Sequence, residues 1–201
     1  MHDRLFCDKG VFMSSQCIRN DSAPSVVDCP LIQLCFVVEN LEQAMAQFSL
    51  LAGAGPWFIL PRIPTDLDST VYRGVPTPLG ACIALAYAGN LMYELVCPDQ
   101  GSSSIFKEWA DIRGYGLHHL GYAVSEFDAL MASIESDAVQ VLMTSKTPRG
   151  ARVVMIQGEE PEGVLAEYIE IIPASCDFYS FMRKQSLSWD RQTLIFAKSL
   201  E

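Results

Sequence analysis

From Leu31 onward the chain alternates between runs that suit strands and runs that suit helices. Leu31 to Val38 is apolar except for Gln33 and predicts a buried strand. Asn40 follows as an N-cap with Gln43 three residues on, and Leu41, Ala44, Met45, Phe48 and Leu51 continue at helical spacing until Gly53, Gly55 and Pro56 stop the helix. Trp57 to Leu60 is a short strand. Pro61 to Leu79 holds four prolines and predicts a long loop of the kind that often serves as a lid. Ala81–Ala88 and Leu91–Cys97 are joined by Gly89-Asn90, a hairpin signal. Ser102 to Arg113 predicts a connecting helix, ended by Gly114 and Gly116.

The order then repeats. His118 to Val124 predicts a strand, and Ser125 caps a helix to about Ser136. Strands follow over Val139–Met143, Ala151–Gln157 and Val164–Ile172. Gln33 to Val38 lies over His119 to Val124 at a shift of 86 positions, which also sets Leu41 on Phe127, Ala44 on Leu130 and Phe48 on Ile134. Such a repeat implies two equivalent modules sharing one core. The expected organisation is an N-terminal extension over 1–29, a domain over 30–173 and a C-terminal helical tail over 174–201. The domain divides into module one (30–98), the connecting helix (102–113) and module two (117–173). The tail carries an amphipathic pattern through Phe178, Phe181 and Met182.

Composition narrows the function. At 201 residues, 50% hydrophobic and 19% charged, the chain can bury a core without a disulfide or metal staple. A net charge of −10 disfavours nucleic acid and anionic membrane surfaces as partners. No apolar run reaches the length of a membrane helix, and the N-terminus lacks a signal-peptide pattern, so a cytoplasmic protein is expected. Seven cysteines, an odd count without a C-x-x-C, are expected to be buried, reduced thiols.

Polar residues inside apolar strands carry the chemical signal, because burying them without a partner is costly. Four stand out: Gln33 and Glu94 in the first and last strands of module one, and His119 and Glu167 in the first and last strands of module two. Two-fold-related modules would bring all four to one centre. Two carboxylates, an imidazole and an amide oxygen match a divalent cation, with Zn, Ni, Co, Mn and Fe all open. Period-two alternation puts Glu167 and Glu170 on opposite faces, so only one points inward, and turns His118 away from the His119 face. Taken singly, Gln33 and His119 read as ordinary structural residues; their joint placement in the repeat is what points to a site. Trp57, Tyr72, Tyr87 and Tyr122 are candidates to line a pocket beside it.

These segments resemble the vicinal oxygen chelate superfamily, the glyoxalase/bleomycin-resistance/dioxygenase fold. The matching text is Gln33 to Gln47, Gly55-Pro56-Trp57-Phe58, Tyr93 to Pro98, Gly116 to Tyr122 and Gly163 to Glu170, spanning roughly residues 31–173. The resemblance implies an α+β fold in which two βαβββ modules form an incomplete barrel, and it places metal ligands at Gln33, Glu94, His119 and Glu167. That set is similar to the one in eukaryotic glyoxalase I. It implies a metal-dependent isomerase or lyase acting on a small carbonyl or enolate substrate, with Glu167, then Glu94, as the carboxylate that moves the proton. Extradiol dioxygenases of the same fold need two His and one carboxylate, and only one of the three His here, His119, lies at a ligand position. The alternatives are a metal-free protein that sequesters a small molecule, in the manner of bleomycin-resistance proteins, an epimerase of an acyl thioester, and a non-catalytic interaction protein. A homodimer is also expected, through exposed sheet edges.

Overall fold

The computed structural model describes residues 29–63, 68–136, 139–158 and 165–196. Residues 1–28 of the expected extension over 1–29, residues 64–67 of the expected loop, Val164 and residues 197–201 of the tail lie outside them. In chain order the elements are β1 (Leu31–Val37), α1 (Leu41–Ala52), β2 (Phe58–Ile59), β3 (Val71–Tyr72), β4 (Val75–Pro76), β5 (Ala81–Ala88), β6 (Leu91–Pro98), α2 (Ile105–Arg113), β7 (Gly116–Val124), α3 (Phe127–Ser136), β8 (Val139–Lys146), β9 (Arg152–Gly158), β10 (Leu165–Glu170) and α4 (Pro173–Leu187).

The strands form one open ten-stranded sheet in the order β2-β5-β6-β1-β7-β10-β9-β8-β3-β4. The architecture is α+β, with the same unit used twice. In each unit the first strand pairs in parallel with the last, β1 with β6 and β7 with β10. The two first strands then pair antiparallel with each other, which puts β1 and β7 at the seam.

Alternation along these strands sorts the core into two faces. On one face, Ala84, Ala86 and Leu95 pack on Ala44 and Met45 of α1, and Val154, Ile156 and Tyr168 pack on Phe127, Leu130 and Ile134 of α3. The opposite, inner face carries Cys35, Val37, Val96, Met155 and Leu165, with Phe106 of α2 against them. The local signals act as anticipated. Asn40 Oδ1 accepts the Gln43 amide to start α1, and Gly53 ends it at φ 69°, a conformation only glycine reaches at no steric cost. Ser104 caps α2.

Two regions depart from the sequence reading. The Pro61–Leu79 stretch is not only loop: it contains the β3–β4 hairpin, which crosses to module two and pairs with β8. The residues that pair there, Val71 and Tyr72, form too short a run to signal a strand by periodicity. The tail folds as α4 against module one, burying Phe178 and Met182 with Phe58, Leu85, Tyr87 and Met92, while Phe181 stays part-exposed. Of the five described cysteines only Cys35 is fully buried, so the expected burial holds for it alone. Among the described residues no helix is long and apolar enough to cross a membrane.

Candidate metal centre

The four singled-out polar residues converge on the inner face at the seam. Gln33 and Glu94 arrive from β1 and β6, and His119 and Glu167 from β7 and β10. All four are buried. His119 Nε2 lies 3.3 Å from Glu94 Oε2 and 3.1 Å from Glu167 Oε2. Gln33 Nε2 donates to Glu94 Oε2 at 2.7 Å and to Glu167 Oε2 at 3.4 Å, and stands 3.5 Å from His119 Nε2. Glu170 takes the other face, where Arg152 holds it with bonds at 3.0 and 2.7 Å.

The backbone explains how Gln33 reaches the centre. A Cβ added at Gly121 would stand 2.8 Å from the Gln33 Cβ, so the β1–β7 approach requires a residue without a side chain there. The equivalent position in the repeat is Cys35, directly opposite His119.

These donors fit a divalent cation. Metal–ligand bonds of about 2.0–2.2 Å put neighbouring donor atoms about 3.0–3.5 Å apart. The imidazole–carboxylate separations fall in that range, and Glu94, His119 and Glu167 form a buried group able to hold an ion. The short Gln33–Glu94 contact is a hydrogen bond, and a half-turn of the amide would present Oε1 in place of Nε2. Among the described residues the two buried carboxylates are met by the imidazole, the amide and the Cys35 thiol. Burial alone would lower the His119 pKa, but the acidic groups beside it outweigh burial and hold it well above the ordinary range. The Cys35 thiol is pushed well above its usual value, by burial first and by Glu94 next, and stays a neutral thiol.

His118 is not where alternation predicted. The β1–β7 register slips between Cys35/His119 and Phe36/Leu117, so His118 is the extra residue of a β-bulge. It is fully buried, its Nδ1 is 2.9 Å from His119 Nδ1, and its ring lies 5.0 Å from Phe106 and 4.8 Å from Trp109 of α2. The expectation that it faces away from His119 is corrected: the bulge suspends the period of two at that position.

Above the centre opens a cavity of about 300 Å³ with Gln33, Glu94 and Glu167 in its wall. Leu60, Ile83, Leu85, Phe106 and Met143 supply apolar wall, and Arg62, Lys146 and Arg149 supply cations. Arg62 is held by both Asp99 oxygens, and Arg149 lies over the Phe178 ring at 3.7 Å. Tyr179 of α4 is the aromatic hydroxyl in this wall; burial, then Glu167, raise its pKa far above a free phenol's. Sequence reading missed it, because on α4 it is one residue from the core-facing Phe178 and lies off the apolar stripe. The expected pocket aromatics sit elsewhere. Trp57 packs under α1, Tyr72 sits in the β3 part of the core, Tyr87 is beneath α4, and Tyr122 stacks on Tyr168 on the outer face at 5.3 Å. None of the four lines the cavity. Buried aromatics fill cores by area alone, and their identity carried no directional signal.

A family described as the glyoxalase/bleomycin resistance protein/dioxygenase superfamily matches residues 32–156. Methylmalonyl-CoA epimerase from Mycobacterium tuberculosis is similar in structure, at 22% identity and TM-score 0.55, covering 73% of this chain and 91% of its own. A hypothetical protein from Bacillus halodurans C-125 aligns at 19% identity and TM-score 0.56, over 72% of this chain and 96% of its own. A Streptomyces coelicolor methylmalonyl-CoA epimerase variant in complex with 2-nitronate-propionyl-CoA aligns at 17% identity and TM-score 0.55, over 71% and 96%. These likenesses show a shared fold. No curated protein matches the sequence.

Proposed function

The chain belongs to the glyoxalase/bleomycin resistance protein/dioxygenase superfamily, and on that premise we propose that it is a divalent-metal-dependent isomerase that moves a proton on a small carbonyl substrate. The observation that carries this reading is the convergence of Gln33, Glu94, His119 and Glu167 from four central strands at the wall of one cavity.

Those four residues would hold the ion, with Gln33 turned to present its oxygen. When bound, such an ion supplies Lewis-acid stabilisation of negative charge on a substrate oxygen. The protein does the rest. Leu60, Ile83, Leu85 and Met143 exclude water from the reacting carbon. Glu167 is the proposed base, with Glu94 as the second candidate. It takes the proton from the carbon next to the carbonyl, the C–H electrons pass to the carbonyl oxygen, and a proton that has exchanged with solvent returns either to the opposite face from Glu94 or, where that carbon carries a hydroxyl, from Glu167 to the neighbouring carbon while the hydroxyl proton passes to the other oxygen. The first return is an epimerisation and the second an isomerisation. The cavity accommodates a small molecule, consistent with an oxo compound and with the acyl end of a thioester. The fold shared with the epimerases supports the proton-transfer class.

The test has two arms. Protein purified without chelator is analysed for metal and titrated with Zn, Ni, Co, Mn and Fe; one ion per chain is expected. The loaded protein is then incubated in deuterium oxide with 2-oxo, 2-hydroxy and acyl-thioester compounds, and proton exchange at the reacting carbon is followed by NMR. Exchange that needs both the ion and Glu167 supports the reading. A chain that takes up no divalent ion overturns it.

A further inference from the structure

We propose that His118 is a positioning residue: its Nδ1 accepts the Nδ1–H of His119 and so fixes His119 in the tautomer whose Nε2 lone pair faces the four-residue centre. The inference rests on the metal-site reading and extends it to a residue outside the four-residue centre and the cavity wall.

The geometry leaves few options. His119 Nε2 points at Glu94, Glu167 and Gln33, within 3.5 Å of each, so it is the nitrogen a cation would use. The other nitrogen, Nδ1, faces His118 Nδ1 at 2.9 Å. Two ring nitrogens at that distance share one proton, because two donors or two lone pairs would repel. If the proton sat on His118 Nδ1, His119 Nδ1 would be its acceptor and His119 would carry its own proton on Nε2, where it blocks the centre. With a proton on His119 Nδ1, His119 Nε2 gives its lone pair to an ion once the proton it holds beside the two carboxylates has left. His118 then carries its proton on Nε2, the buried nitrogen for which the structure shows no hydrogen-bond partner.

What holds His118 to this task is packing. Its ring sits between Phe106 and Trp109, at 44° and 71° to them, and Arg113 covers the Trp109 ring at 4.7 Å. Helix α2, started by Ser104, therefore buttresses His118 through Phe106 and Trp109. Ligating imidazoles are usually oriented by a carbonyl or carboxylate on the second nitrogen, and loss of such a partner weakens metal affinity. Here a neutral imidazole takes that place, supplied by the bulge that put two histidines on one face.

Two substitutions separate positioning from bulk. His118→Asn keeps an oxygen near the Nδ1 position, whereas His118→Phe fills the aromatic box without an acceptor. Circular dichroism and urea unfolding verify that each is folded. Manganese(II) is the probe, titrated calorimetrically. His118→Phe should weaken manganese binding about ten- to hundredfold, and His118→Asn should stay within about threefold of the native chain. Nitrogen-15 ring spectra of the metal-free protein should show a bare Nδ1 on His118 and a protonated Nδ1 on His119. A proton on His118 Nδ1, or equal losses for both variants, overturns the proposal. A native chain that binds no manganese overturns the metal-site reading instead, and the ring spectra still decide the tautomer.

Discussion

The two modules present the same pair of strands to the seam but equip them differently. Both last strands bring a glutamate, Glu94 and Glu167. The first strands diverge: module one offers the neutral amide of Gln33, module two the imidazole of His119. Their supports diverge as well. Gln33 is seated by the absence of a side chain at Gly121, whereas His119 is seated by the presence of His118 behind it. A repeated backbone thus supplies the position of four donors, and the unrepeated residues around it determine which atom each presents.

Substitutions at the centre break that comparison most sharply. Glu167→Gln should lower manganese affinity by at least about a hundredfold and abolish proton exchange, since it removes a charged donor; Glu94→Gln should match it in affinity if the last strands are equivalent. His119→Ala and Gln33→Ala come next. The comparison predicts a loss of about a hundredfold for the imidazole and about tenfold for the amide in the same titration. Equal losses would mean that the two first strands serve the ion alike.

Stability tests sharpen the remaining differences. Gly121→Ala forces its new Cβ against the Gln33 Cβ and should cost about 1–3 kcal/mol in urea unfolding. Cys35→Ala at the equivalent place adds no such clash and should not displace His119. The smallest effect belongs to the outer face of module two. Arg152 holds the Glu170 carboxyl below the usual range, so the pair stabilises the fold at neutral pH. That contribution is full above the ordinary carboxylate pKa and fades as pH falls through the depressed folded value. The unfolding midpoints of native and Glu170→Gln chains should therefore differ slightly at pH 7 and merge in acid.

Much of this was legible before any coordinates, for a physical reason. A polar side chain in a buried strand is conspicuous, and the repeat put Gln33, Glu94, His119 and Glu167 at matching places. Period-two alternation separated Glu167 from Glu170 correctly. It failed at His118, because a bulge is a property of the β1–β7 pairing and not of β7 alone. Tyr179 and the β3–β4 hairpin escaped for a similar reason: each gains its role from a partner distant in the chain, α4 meeting the cavity and Val71–Tyr72 meeting β8. The aromatic pocket candidates failed because large rings are buried wherever space is apolar, and among the tyrosines only Tyr179 came to the wall.

The crossing hairpin also decides how this molecule can meet a second copy of itself. By capping β8, it leaves the sheet bounded by β2 and β4, each two residues long, with Pro76 in the latter unable to donate an amide. Ribbon-to-ribbon lengthening of the sheet therefore has almost no ladder to begin from, and a self-associated form would have to be assembled from faces and helices, leaving its margins unzipped.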